Sequence, residues 1–338
     1  MAIIGLANNE NPLGSSPRAM AGARAALQSL HLYPDTHYIA LKEALGAHMQ
    51  VAPTQITIGN GSESILELII RTHLHQGQSA VISEYAFLTV PLLLKNYGIH
   101  MNTAKACCFG HDPAALLKAI DEKTRAIFII NPNNPTGTFL DNNALTKLIK
   151  DIPSHILIVI DEAYAEYRQD PDCPQSISYV NQYPNLIVMR TFSKIYGLAA
   201  LRIGYAVAST EITNRLNHSQ LPFHTNSVAV AAAHAALADQ MHVTRSLIHN
   251  QQGMAKLTTA LSQLGFSFIP SAGNFLAIRV KQAQVYYHAL LKAGIAIKPL
   301  DSYQMPDYIR VSIGTFTEID AFLAALADIS VSSISALQ

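Results

Sequence analysis

The stretch Ala126-Ile127-Phe128-Ile129-Ile130 runs without a polar break into Asn131-Pro132-Asn133-Asn134-Pro135-Thr136-Gly137. A short apolar run rich in β-branched residues reads as a strand covered on both faces, and the Asn, Pro and Gly after it read as a loop at its carboxyl end. The same grammar recurs twice downstream. Residues 156–160 (ILIVI) lead into Asp161-Glu162-Ala163-Tyr164, and 186–189 (LIVM) lead into Arg190-Thr191-Phe192-Ser193-Lys194. Residues 79–83 (SAVIS) form a fourth run of this kind. Between these runs, 112–120 and 142–149 carry helical spacing, each opened by an Asp or Asn suited to an N-cap. The alternation predicts an α/β fold with a mainly parallel sheet.

Ligands of open α/β sheets sit beyond the carboxyl ends of the strands, so the three polar clusters are expected to converge on one rim. A carboxylate, an amide, a phenol and an amine gathered there suit pyridoxal 5'-phosphate (PLP). That cofactor needs an amine for its aldehyde, an acid for its ring nitrogen, donors for its phenolic oxygen and a donor-rich cup for its phosphate. Asp161 would keep the ring nitrogen protonated, while Asn134 and Tyr164 would hydrogen-bond the phenolic oxygen. Lys194 would hold the aldehyde covalently and, once displaced by substrate, carry the proton at the substrate carbon. The phosphate would lie among Thr191, Ser193, Arg202, Ser62 and the amides of Gly59 to Ser64 (GNGSES, including Gly61 and Glu63), ahead of a helix expected over 65–71. Each piece has an ordinary reading as a cap, a turn or a surface charge; the ordered conjunction is what points to chemistry. GNGSES lacks the Gly-Lys-Ser/Thr ending of a P-loop and is not a dinucleotide fingerprint.

These residues are similar to those of the fold-type-I PLP aminotransferases, and among them the chain most resembles the histidinol-phosphate aminotransferase family. The resemblance rests on Asn9-Glu10-Asn11-Pro12-Leu13-Gly14, Tyr33-Pro34-Asp35, GNGSES, NPNNPTG, Asp161-Glu162-Ala163-Tyr164, the run TFSKIYGLAALRIGY at 191–205 and RVSIGT at 310–315. It implies a large PLP-binding domain over 36–240 with a mainly parallel seven-stranded sheet between helices. It also implies a smaller α+β unit formed by an N-terminal arm, 1–35, together with 241–338. Further, it implies that Phe87 stacks on the cofactor ring and that Tyr33 reaches the phosphate of a neighbouring subunit's cofactor, which would require a homodimer with shared sites. Arg310 is implied to grip the substrate carboxylate or its equivalent, with Asn11 and Asn274 as further substrate-side residues. The stacking position holds Phe87 where the family usually has tyrosine, and Ser62-Glu63-Ser64 departs from the usual acidic pair.

The implied reaction transfers an amino group between a donor such as histidinol phosphate and the 2-oxoglutarate/glutamate pair, a step of histidine biosynthesis. An aromatic amino acid aminotransferase and a threonine-phosphate decarboxylase share these motifs. Composition fits a small-molecule enzyme: 49% of residues are apolar, 14% are charged, and 23 Lys and Arg balance 23 Asp and Glu. No net positive field favours nucleic acid or anionic lipid. Neither a basic leader nor a run long enough to cross a bilayer is present, so a cytoplasmic enzyme is expected. The 14 histidines show no metal-ligand spacing and the three cysteines no Cys-x-x-Cys spacing, so no metal is expected.

Overall fold

A computed structural model describes residues 3–168 and 172–335. The outer limits of the expected N-terminal arm and C-terminal unit, residues 1–2 and 336–338, lie outside the described residues. From the amino terminus come β1 (Ile4–Gly5), α1 (Pro17–Ala26), α2 (Ile39–Met49), β2 (Ile56–Gly59), α3 (Ser62–His73), β3 (Ser79–Ser83), α4 (Thr89–Asn96) and β4 (His100–Ala104). There follow α5 (Pro113–Lys118), β5 (Thr124–Ile130), α6 (Asn142–Asp151), β6 (Leu157–Asp161), β7 (Leu186–Thr191), β8 (Gly204–Ala208), α7 (Thr210–His218) and α8 (Ser227–Leu237). The last third holds α9 (Gln240–Gln263), β9 (Phe268–Ile269), β10 (Phe275–Arg279), α10 (Ala283–Lys292), β11 (Ile295–Ala296), β12 (Lys298–Pro299), β13 (Tyr308–Ser312) and α11 (Phe316–Ser335).

Seven strands form one sheet in the order β2-β8-β7-β6-β5-β3-β4. Only β8 runs against the others, pairing antiparallel with both β2 and β7. The expected α/β class with a mainly parallel sheet therefore holds. Along β5, Ile127 and Ile129 enter the core on one face while Ala126, Phe128 and Ile130 enter the core on the other. Burial on both faces is why these strands show no polar alternation.

The antiparallel β8 has a simple origin. The twelve-residue stretch 192–203 between β7 and β8 contains no α-helix, and a parallel return would need a crossover element. The chain turns back instead, and Lys194 rides on that turn. α6 is capped by the side chain of Asp141, which accepts from Ala144 N at 2.8 Å, so the cap lies one residue before the Asn142 suggested by sequence. α3 starts at Ser62 rather than at residue 65.

A second sheet, β12-β13-β10-β9, is antiparallel throughout. Its core, with Leu276, Ile309, Val311 and Phe322, also takes in Leu6 from the amino-terminal arm. β1 pairs in parallel with β11 as a separate two-stranded sheet, and Ser312 N on β13 donates to Leu6 O at 2.9 Å, so the arm is hydrogen-bonded to the small unit, whereas α1 lies against α8 beside the large sheet. The arm thus bridges the two bodies. Among the described residues, no helix is long and apolar enough to cross a membrane.

Candidate active site

A cavity of about 530 Å³ opens at the carboxyl ends of β5, β6 and β7 and is closed on one side by the amino-terminal arm and on another by β12 and β13. Its lining includes Ser62, Glu63, Phe87, Asn134, Asp161, Tyr164, Thr191, Ser193, Lys194, Arg202 and Arg310. Eleven of the residues singled out in the sequence therefore face one space.

Asp161 ends β6 and accepts from Ala163 N at 3.0 Å. Burial, opposed by that hydrogen bond and by Lys194 and reinforced by Glu162, pushes its carboxyl up to about 6. A carboxylate made uncomfortable in this way gains most from a cationic N–H partner, which is what a protonated pyridine offers. Glu162 turns the other way, accepting from Arg190 Nε at 3.0 Å and Nη2 at 2.8 Å; this nearly buried ion pair ties the loop after β6 to β7.

Tyr164 is buried and its hydroxyl accepts from Asn9 Nδ2 at 2.9 Å, while its ring meets Phe275 edge-on at 5.1 Å. The Lys194 ammonium sits 5.7 Å from the centre of the same ring and donates to Asn8 O at 3.0 Å. Asn134 presents its carbonyl to Arg310 Nη1, which leaves its NH₂ as the group available to an acceptor in the cavity.

At the far end lies an anion cup. Ser62 opens α3, so the unpaired amides of the first turn face the cavity with the positive end of the helix dipole. Thr191 Oγ1 donates to Ser193 Oγ at 2.9 Å and accepts from Ser193 N at 3.1 Å. Ser193 thereby keeps its own hydroxyl proton for a further acceptor. Arg202 adds a guanidinium, its Nη2 3.3 Å from Glu63 Oε2, and it has a positive φ of 54°. Glu63 therefore contributes its backbone N–H to the cup, its carboxylate being directed at Arg202.

The helix start comes this close to the sheet only because residue 204 lacks a side chain, since a Cβ on Gly204 would stand 2.7 Å from Ser62 N. Acid, paired donors, amine and anion cup together match what PLP requires. A match to the aminotransferase class I and II family spans residues 2–326. The chain belongs to the class I and II aminotransferases.

Relatives of this aminotransferase include histidinol-phosphate aminotransferase 2 of Pseudomonas fluorescens (strain Pf0-1). That protein is 45% identical over 326 residues, covering 96% of this chain and 88% of the relative. The histidinol-phosphate aminotransferase of Methylobacillus flagellatus is also 45% identical, over 97% of this chain and 89% of its own length. The crystal structure of histidinol-phosphate aminotransferase from Sinorhizobium meliloti in complex with pyridoxal-5'-phosphate superposes with a TM-score of 0.91 at 28% identity, covering 98% of this chain and 92% of that one.

Four of the sequence-singled residues of the aminotransferase lie outside the cavity lining. Gly61 stands behind Arg202 with a φ of 85°. Tyr33 is 81% exposed and stacks on Phe223 with ring centroids 4.4 Å apart, so within one chain it reaches no cofactor cup. Asn11 and Asn274 are buried, and their side-chain amides bond to the protein. Asn11 Nδ2 donates to Ile195 O and Ser246 Oγ, and Asn274 Nδ2 donates to Asn9 O and Glu10 O. Both fasten the amino-terminal arm. Their NH₂ groups pair with backbone and hydroxyl acceptors that burial would otherwise leave unpaired.

Conversely, the sequence reading gives no site role to Asn8, Asn9, Lys298 or Tyr303, which all line the cavity. Lys298 stands directly across from Arg310 in the β12–β13 pairing. A single Lys before a Pro carries no motif, and only the strand register brings it beside the arginine. Cys107 and Cys108 are exposed thiols, and no cluster of metal-ligating side chains occurs among the described residues.

Proposed function

We propose that the chain is a PLP-dependent aminotransferase that exchanges an amino group between histidinol phosphate and the 2-oxoglutarate/glutamate pair in histidine biosynthesis. The observation that carries the substrate is the cation pair Arg310 and Lys298, cross-strand neighbours that both line the cavity. A phosphate monoester carries close to two negative charges near neutral pH, and two adjacent cations match it better than one does.

PLP, when bound, supplies an electron-withdrawing ring and the carbonyl that takes up the amino group. The protein does the rest. Asp161 would accept the ring N–H, Tyr164 and Asn134 would donate to the phenolic oxygen, and Phe87 would pack against the ring. Ser62, Ser193, Arg202 and the first-turn amides of α3 would hold the cofactor phosphate. Lys194 would hold the cofactor's carbonyl group and, once released, would move the proton at the substrate carbon bearing nitrogen. Arg310 and Lys298 grip the substrate's anionic end, which orients that carbon relative to Lys194.

The large domain of this reading spans 36–240, and 1–35 with 241–338 forms the arm and small domain. A homodimer is part of it. Tyr33 stacks on Phe223, and Leu30, Leu32 and Leu221, close to this pair in sequence, are exposed apolar side chains, which suits burial against a second copy. A cytoplasmic place follows from a biosynthetic role.

The test is an absorbance titration of PLP-loaded protein. Glutamate and histidinol phosphate should each bleach the visible band, and 2-oxoglutarate should restore it. The same two cations would hold the phosphate of threonine phosphate, so release of carbon dioxide without consumption of 2-oxoglutarate would replace this reading with a decarboxylase. Bleaching by aromatic amino acids but not by histidinol phosphate would point to an aromatic aminotransferase.

A further inference from the structure

The Tyr164 hydroxyl has one proton to give, and the amino-terminal arm decides where it goes. Tyr164 Oη accepts from Asn9 Nδ2 at 2.9 Å. With an N–H already pointed at the oxygen from the Asn9 side, the phenolic proton cannot also lie there and is left to the cavity.

The arrangement works only if the Asn9 amide cannot turn over, and its other end is fixed by a serine on the small sheet. Asn9 N donates to Ser312 Oγ at 2.8 Å, so the serine oxygen is engaged as an acceptor and its proton is free to go to Asn9 Oδ1, 3.2 Å away. That second bond places the amide oxygen toward Ser312 and the NH₂ toward Tyr164. Ser312 N in turn donates to Leu6 O at 2.9 Å, and Asn274 Nδ2 donates to Asn9 O at 3.0 Å.

Asn9 sits in the left-handed region at φ 57°, a conformation that asparagine tolerates better than most residues. Asn9, Tyr164 and Ser312 are 1%, 2% and 4% exposed, so water has little access to replace any of these bonds. Arg310 lies two residues before Ser312 on β13, and alternation along a strand puts both on one face.

We infer that Asn9 is a positioning residue that aims the Tyr164 proton into the cavity and, through Ser312, ties that aim to the strand carrying Arg310. The inference rests on the PLP reading above, because the acceptor awaiting that proton is the phenolic oxygen of the cofactor. The charged and titratable groups facing Tyr164 are Lys194 over its ring, Asp161 on the same loop, Arg310 across Phe275, and Tyr167 and Tyr303, both coupled to it electrostatically. None of these donates to the Tyr164 oxygen in place of Asn9.

The test uses the PLP-loaded enzyme and the pH midpoint of its visible colour change. A donor to the phenolic oxygen stabilises the deprotonated form and lowers that midpoint. Asn9→Ala should raise it by about one pH unit, the scale of one charge-assisted hydrogen bond, and Ser312→Ala should raise it by less. Tyr164→Phe should raise it at least as far as Asn9→Ala does.

Decisively, Asn9→Ala and Ser312→Ala should each have no effect in a Tyr164→Phe background. An unshifted midpoint in both single variants, or a shift that persists without the Tyr164 hydroxyl, overturns the inference. Should Asn9→Ala fail to fold, Ser312→Ala with and without Tyr164→Phe makes the same comparison. A wild-type protein with no pH-dependent visible band would defeat the functional reading itself; a normal wild-type band with unshifted variants defeats only the role of Asn9.

Discussion

The guanidinium of Arg202 lies against the α-carbon of Gly61, so near that a methyl group placed there would stand 2.6 Å from Nη2. Gly61 also has a φ of 85° and ψ of 163°, a region reserved for glycine. Gly61→Ala should therefore displace Arg202 and strain the entry to α3 together. Affinity for PLP is expected to fall by roughly ten- to a hundredfold, corresponding to about 1–3 kcal/mol, as read by fluorescence titration of the apoenzyme.

Lys194→Ala removes the amine but leaves the anion cup whole. The variant should still bind PLP, show no pyridoxyl group fixed to the protein after borohydride, and lose at least about a thousandfold in turnover. Mass spectrometry of the reduced protein checks the first point and steady-state rates the second. Wild-type activity would refute the assignment.

Asp161 gives a prediction about stability with a definite sign. Its folded-state pKa, about 6, lies above the 3.8 of an unperturbed carboxyl. Between those values the folded protein holds more protons than the unfolded one, so stability is lost as pH rises from about 4 to 6 and the deficit persists above. Asp161→Asn should make the apoenzyme more stable at pH 7.5 by about 1–3 kcal/mol, and the advantage should vanish below pH ~4. Denaturant melts at the two pH values read this out, and the same variant should be inactive because asparagine cannot favour a protonated ring nitrogen.

Lys298→Met tests the substrate's charge. Losing one of two cations that meet a phosphate should raise KM for histidinol phosphate by about ten- to a hundredfold, the worth of a hydrogen bond to a charged group. KM for glutamate, whose two carboxylates carry one charge each where a phosphate carries nearly two, should change far less. Equal changes for both substrates would remove Lys298 from phosphate recognition.

Leu221→Asp places a charge on an exposed apolar residue two positions before Phe223, on which Tyr33 stacks. Sedimentation should show dimer converting to monomer, and activity should fall with it if Tyr33 completes the partner's cup. An active monomer would separate the surface from the site.

Much of this was legible before any coordinates. The polar clusters after β5, β6 and β7 were visible because each follows an apolar run whose strand character does not depend on distant residues. The antiparallel β8 was less legible, since its five residues (Gly204–Ala208) read as the tail of the lysine motif until the short return from β7 gives them a partner. For Asn11 and Asn274, motif membership says that a residue matters without saying which way its side chain turns, and the structure gives both of them protein partners.

The local order of residues determined the sheet, the cofactor-binding loops and the identity of the amine, acid and phenol, since strand propensity and turn chemistry act over a few neighbours. Tertiary structure alone decided which groups orient them. Asn9 meets Tyr164 across 155 positions and Ser312 across 303, and Lys298 faces Arg310 only through the register of two strands. Hydrogen-bond direction depends on ångström-scale placement, and that is fixed by how the arm and the two sheets pack together.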